Sequence, residues 1–341
     1  MTSLRSKITG MFFGVAIGDA LGKPVETFSK SKIDKTFGRI TKYESSKYHK
    51  WFDGDEIGTI TDDTQLTIAV AESIIESNGL NMDSIAKWHV DALSVTDAGW
   101  GNSTRLAVKN LQSGINWSNS AIKGENYGVG NGVAMKVSPI SAYYVIKSIQ
   151  KNDYNLILDN VTDFLVKFNN MTHLNHVSLK STGTMFSAFS YCLAENNEFN
   201  PHLMSESCFL YSCLNQHKSN DNYELSLSKD NLSSRIYDLF KNYKAYSESD
   251  IIEKYNGGGC YCYDSIPFSL YFFLKNPNSI DSLFEVVSSG GDTDSNGSMV
   301  GGLLGALNGV EIFPQYLIDG LKDKEQIYSL ANRFCDVLGV D

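Results

Sequence analysis

The sequence is poor in proline, cysteine and positive charge, and each shortage removes a class of protein. It holds 6 prolines against 28 glycines. Loop-rich chains raise both residues together, so these glycines are expected largely inside regular structure. The cysteines are also few and thinly spread: Cys192, Cys208, Cys213, Cys260, Cys262 and Cys335. They form no C-x-x-C framework, and a chain of 341 residues needs no covalent staples. The expectation is reduced thiols in a cytoplasmic protein. Cys260 and Cys262 are too close for an easy intrachain disulfide and too few for a metal site. Lysine and arginine total 29 against 39 acids, a formal net charge of -10. That balance excludes nucleic-acid binding through a basic face and docking on anionic lipid.

Long hydrophobic runs are absent as well. No apolar stretch reaches the roughly 18 residues of a membrane-spanning helix. The run from Met11 to Ile17 follows Arg5 and Lys7, but Gly14 interrupts it, it stops at Asp19, and no small-residue cleavage site follows. A cleaved signal is therefore not expected, and the chain reads as soluble and monomeric. At 42% hydrophobic and 20% charged residues the composition is globular.

What is present is helical periodicity. Residues 64–76 place Leu66, Ala69, Val70, Ser73 and Ile74 on one face. Residues 82–93, 140–150, 155–168, 178–194, 264–274, 280–288 and 296–308 also read as helices, and few stretches alternate strictly. The fold class is all-α, a compact single domain over residues 1–341. The polar stretch 215–234 is expected to be a surface loop or insertion. Two glycine rows stand out: Gly10, Gly14, Gly18 and Gly22, then Gly297, Gly301, Gly305 and Gly309. A four-residue spacing lies along one helix face. Each interior helical glycine costs about 1 kcal/mol relative to alanine, so close approach of another helix, or of backbone to ligand, is expected in compensation.

Chemistry concentrates at two helix starts. Thr61-Asp62-Asp63-Thr64 precedes one, and Asp292-Thr293-Asp294-Ser295, after Gly290-Gly291, precedes another. Each could simply cap its helix. Yet each offers more oxygen than one cap uses, and hard divalent cations want such ligands. An EF-hand is excluded, because position twelve of the second motif is Leu303. If the two starts converge, four carboxylates and the hydroxyls of Thr61 and Ser295 suffice for a pair of cations. A third segment, Gly130-Asn131-Gly132 after Tyr127-Gly128, exposes backbone N–H groups that suit a phosphate. Glu26 and His173 are unremarkable by themselves.

Five segments together carry a resemblance: GDALGKPVE, TDDTQLTIAVAESI, GNGVAMKVSP, MTHLNH and SGGDTDSNGSMVGGLLGA. In order and spacing they resemble the ADP-ribosylglycohydrolase family, from about residue 8 to residue 335. The resemblance implies an all-α fold around a central cleft holding two Mg²⁺ or Mn²⁺ ions. It implies Thr61, Asp62, Asp63, Asp292, Asp294 and Ser295 as metal ligands, and Asp62 and Glu26 as catalytic candidates. By the same resemblance Tyr127, Gly128, Asn131, Gly132 and His173, with Asn102 and Ser103, line the ADP-ribose site. Ser295 stands where the family commonly has threonine, which keeps the hydroxyl. Lys136 stands where arginine is common, which keeps the charge but loses bidentate geometry.

The implied activity is metal-dependent removal of ADP-ribose from modified protein side chains, through an oxocarbenium-like transition state. Arginine linkage is favoured over serine by the compact GDALGKPVE segment. The alternatives are a non-catalytic ADP-ribose-binding protein on the same fold, or a hydrolase of another ribosyl compound. The implied partners are an ADP-ribosylated protein and ADP-ribose as product.

Overall fold

The structure is a computed structural model that describes residues 2–152, 156–194, 198–213 and 231–341. It is all-α, with helices throughout and, among the described residues, no strand beyond two isolated bridges, Ser29 with Gly290 and Gly130 with Tyr261. The expected helices are all found, extended by one to three residues at most ends: Asp62–Ser77, Met82–Val95, Ser138–Lys151, Leu156–Thr172, His176–Ala194, Cys262–Lys275, Asp281–Val287 and Thr293–Asn308. The stretch 215–230 lies outside the described residues. Of the remaining four positions assigned to a loop, Asn231 caps a helix and 232–234 begin it, Leu232–Asn242.

The two glycine rows explain the centre of the molecule. The first lies on helix Leu4–Gly22 and the second on helix Thr293–Asn308 and its C-cap residue Gly309, and they face each other. A Cβ on Gly14 would sit 2.0 Å from the carbonyl oxygen of Gly301, and one on Gly18 would sit 2.0 Å from that of Gly297. One on Gly22 would meet the Thr293 oxygen at 2.2 Å, and one on Gly305 the Gly10 oxygen at 1.9 Å. The order of these pairs makes the helices antiparallel, in backbone-to-backbone contact that any larger residue would wedge apart. Of the two expected compensations for helical glycine, close packing of a second helix is the one found.

This pairing fixes the site. It sets the C-terminal end of the first helix, with Asp19, against the start of the other, with Asp292 to Ser295. The remaining helices bury their apolar faces around the pair. Leu66, Val70 and Ile74 of helix Asp62–Ser77 are all inaccessible, as the spacing predicts. The run Met11 to Ile17 is itself core, wholly buried between neighbours. Among the described residues no helix is long and apolar enough to cross a membrane. All six cysteines are free thiols.

Candidate metal and ligand site

The N-cap side chains of the two motifs are not spent on their helices, although Asp294 Oδ1 accepts from the Ser295 N–H at 2.9 Å. Thr61 and Asp292 occupy the N-cap positions, yet neither side chain accepts a capping bond. For the first helix another residue does that work. Asp19 accepts from the backbone N–H of Thr61 and of Thr64, each at 3.0 Å. Its two oxygens also accept from the hydroxyls of Thr61 (2.9 Å) and Thr64 (2.5 Å). A fully buried carboxylate from the glycine-lined helix thus satisfies orphan donors of the neighbouring helix. Asp62 and Asp63 are thereby released for other chemistry. Sequence reading passed over Asp19; the available signal was an acid inside an otherwise apolar helical run.

The motifs meet directly. Ser295 donates its hydroxyl to Asp63 Oδ2 at 3.2 Å. Asn131 donates to Asp292 Oδ2 at 2.7 Å and to Ser265 Oγ at 3.0 Å, which ties the glycine loop to the second motif. Glu26 joins them: one oxygen each of Glu26, Asp292 and Asp294 lie within 4.8 Å of one another. Its segment is zipped onto the second motif by Thr27 N–H to the Gly291 oxygen (2.7 Å) and Gly291 N–H to the Phe28 oxygen (3.0 Å). The zip requires Gly291 at φ +80°, where a Cβ would strike the Gly257 oxygen at 2.0 Å. It also holds Thr27 at φ 64°, a left-handed conformation that costs a β-branched residue about 1–3 kcal/mol. His49, which carries no sequence signal, donates from Nε2 to the Glu26 carbonyl (3.1 Å) and stacks on Phe52.

So many acids in one buried place raise one another's pKa. Burial, then Asp292, Asp62 and Asp19, push Glu26 up to about 8. Burial and then Asp19 push Asp62 up to about 7. Asp63 and Asp294 stand well above the ordinary carboxylate range, chiefly through burial. Two oxygens, Glu26 Oε2 and Asp63 Oδ1, are buried without a hydrogen-bond partner. A buried carboxylate oxygen with no donor is costly. An all-oxygen donor set with vacant lone pairs suits a hard divalent cation. The residues present therefore fit the metal the sequence implies.

The ligand-lining candidates divide into three groups. Gly128 and Gly132 pack directly on His173: a Cβ on Gly128 would lie 3.1 Å from its Cα, and one on Gly132 3.3 Å from its Nε2. His173 is buried, bonded through Nδ1 to Thr172 Oγ1 at 2.9 Å. Burial, then Lys136, pull it down to about 3, so the imidazole is neutral. Ser103 supports the loop by accepting from Gly128 N–H at 2.9 Å. Tyr127 and Asn102 are exposed; Tyr127 gives its carbonyl to Asn175 (3.2 Å), and Asn102 accepts from Arg105 (3.3 Å). Lys136 is wholly buried, its Nζ unpartnered by hydrogen bonds, and burial pulls it down to about 7 against the pull of Asp62 and Asp63.

Comparison with known proteins places the chain in a family. The family model described as ADP-ribosylglycohydrolase matches residues 1–341. The chain is 21% identical to the ADP-ribosyl-[dinitrogen reductase] glycohydrolase of Rhodospirillum rubrum, over 99% of each chain. It is 23% identical to the ADP-ribosylarginine hydrolase Tri1 of Serratia proteamaculans, over 96% of this chain and 78% of the relative. Among solved structures, an ADP-ribosylglycohydrolase-related protein complex superimposes with a TM-score of 0.72 at 19% identity, covering 99% of this chain and all of the other.

Proposed function

The chain belongs to the ADP-ribosylglycohydrolase family and is a hydrolase of ADP-ribosyl glycosidic bonds, and from that premise we propose that it removes ADP-ribose from arginine side chains of modified proteins. The observation that carries the reading is the meeting of the two acidic motifs. Ser295 reaches Asp63, Asn131 reaches Asp292, and Glu26 closes on Asp292 and Asp294, while Asp19 relieves the first motif of capping. The name of the Serratia relative, and the compact segment Gly18 to Glu26, favour arginine.

Thr61, Asp62, Asp63, Asp292, Asp294 and Ser295 would hold two Mg²⁺ or Mn²⁺ ions. When bound, such cations supply Lewis-acid polarisation and a fixed frame for ribose hydroxyls and water. They also bring positive charge to an acidic cleft, which allows it to receive a pyrophosphate. Gly128, Asn131 and Gly132 would line the ADP-ribose beside the neutral imidazole of His173, with Gly132 N–H as the donor, because Gly128 N–H is held by Ser103 and the Asn131 donors by Ser265, Asp292 and the Cys260 carbonyl. Glu26 and Asp62 stand at about 8 and about 7 without cations; bound cations would lower both, so that each is available as a carboxylate to take up a proton, as a general base must. Glu26 stands at the junction of the carboxylates and the His49 segment, where it can serve the leaving amine or the attacking water.

The test assays arginine- and serine-modified proteins side by side. Release of ADP-ribose from the arginine linkage, reduced at least about a hundredfold in Asp294→Asn, is the expected result. Turnover of the serine linkage alone would move the substrate assignment. Full activity in Asp294→Asn would remove the metal assignment.

A further inference from the structure

Thr61 belongs to a second feature that the acidic cleft does not explain. It also lines a cavity of about 500 Å³, within the range of small-ligand sites. The walls are apolar, built by Phe52, Ile60, Ile68, Trp88 and Val95. The cavity's one lysine, Lys23, is already engaged: its Nζ lies 2.6 Å from Asp55 and 2.9 Å from Thr59 Oγ1. An anionic ligand therefore finds no free cation here. Two further carboxylates line the space. Asp91 is shared with Lys87 at 3.3 Å, and Asp323 forms no salt bridge among the described residues. The vacant charge is negative.

The rim is unusual for a small-molecule site. Val95 is 82% exposed at its edge. The segment that supplies Phe52 and Asp55 also exposes Tyr48, Trp51 (59%) and Ile57. Exposed apolar groups on a chain segment that lines a pocket suit a surface for another protein. The same segment reaches the acidic cleft at its other end, where His49 bonds the Glu26 carbonyl at 3.1 Å and stacks on Phe52 with ring centroids 4.6 Å apart. A polypeptide whose ADP-ribosyl group entered beside Glu26 would come to rest along it.

We propose that this cavity and its aromatic rim hold the protein part of the substrate, accepting a basic side chain flanked by apolar residues close to the modified position. The inference rests on the hydrolase reading above. Asp323 and Asp91 receive the cation, Phe52 and Trp88 enclose its apolar stem, and Trp51 and Val95 carry the flanking chain. The net charge of -10 acts in the same direction by attracting a basic partner.

The experiment compares two substrates of one linkage: histone modified at the residue type the wild type turns over, and ADP-ribose joined to a small leaving group of the same chemistry. Ala92→Trp fills the cavity, and Asp323→Lys reverses its free charge without filling it. Both variants are expected to raise KM for the modified histone about tenfold, the loss of one good interface contact, with kcat within about twofold and KM for the small substrate unchanged. Thermal melts identify a variant that has not folded, and the other then carries the test. Unchanged KM for histone in the folded variants, or an equal rise for both substrates, would overturn the proposal. If no linkage is turned over, the function fails, and the cavity is tested separately by quenching of tryptophan fluorescence with an amidated Leu-Arg-Leu-Arg peptide. Quenching that Ala92→Trp and Asp323→Lys both abolish upholds the cavity, and quenching unaltered by either rejects it.

Discussion

Glu26→Gln should make the metal-free protein more stable, and increasingly so as pH rises. Burial and three neighbouring acids hold the Glu26 pKa at about 8 in the folded chain, against 4.5 when free. Between those values the folded state binds a proton that the unfolded state has lost. Stability from this group is thus complete below the unfolded value and is lost as pH climbs toward 8. Glutamine carries no such penalty. The difference between wild type and variant isolates this one group, because the opposite titrations of buried His173 and Lys136 occur in both proteins. Each pH unit in the window is worth about 1.4 kcal/mol, so the variant should gain about 3 kcal/mol on wild type between pH 5 and pH 7. For a chain this long the gain amounts to a midpoint shift on the order of 5 °C. Thermal melts in EDTA at pH 5, 6 and 7 measure it. Saturating Mg²⁺ should shrink or reverse the difference, because a cation stabilises the carboxylate that glutamine lacks. A variant-to-wild-type difference in EDTA that stays flat or falls from pH 5 to pH 7 would refute the reasoning.

Three further outcomes follow from the packing. Gly14→Ala puts a Cβ 2.0 Å from a carbonyl oxygen, where ordinary contact begins at 3.4 Å; the central helices must part, at a cost of about 3 kcal/mol by urea denaturation, and an unchanged midpoint would contradict the backbone contact. Thr27→Gly relieves the left-handed strain at φ 64° and should stabilise the protein by about 1 kcal/mol in the same assay; a loss of stability would show the strain to be absent. Asp19→Ala leaves the Thr61 and Thr64 N–H groups without their acceptor; it should cost about 3 kcal/mol and weaken Mn²⁺ binding measured by calorimetry, and unaltered Mn²⁺ affinity would separate Asp19 from the site.

Much of this was legible before any coordinates, for identifiable reasons. The strong periodicity of residues 64–76 and 296–308 located two of the site's helices, because tertiary burial there follows the helical repeat. The glycine rows announced a close contact, but spacing within one helix cannot say what approaches it; only Gly14 against Gly301 and Gly18 against Gly297 show that the rows meet each other. The motifs at 61–64 and 292–295 were visible as excess oxygen. Whether they capped or coordinated was not, because that depends on Asp19, a residue 42 positions from Thr61 in sequence. His49 was equally hidden, since its role comes from a segment that folds back onto Glu26 with no periodic pattern. Short helices such as Lys30–Thr36, Glu248–Lys254 and Gln315–Gly320 carry too few turns to impose a repeat. The glycine-rich segment at 128–132 is visible in the sequence, yet the structural part played by Ser103, as acceptor for Gly128, requires the fold.

The central claim is that carboxylates from two distant helix starts form one cation-dependent hydrolytic site. Release of ADP-ribose from an arginine-modified protein, with Mg²⁺ present and then after chelation, tests it most directly. The account predicts release with Mg²⁺, loss of it in EDTA, and recovery when Mg²⁺ or Mn²⁺ is restored. Release at an undiminished rate in EDTA would contradict it.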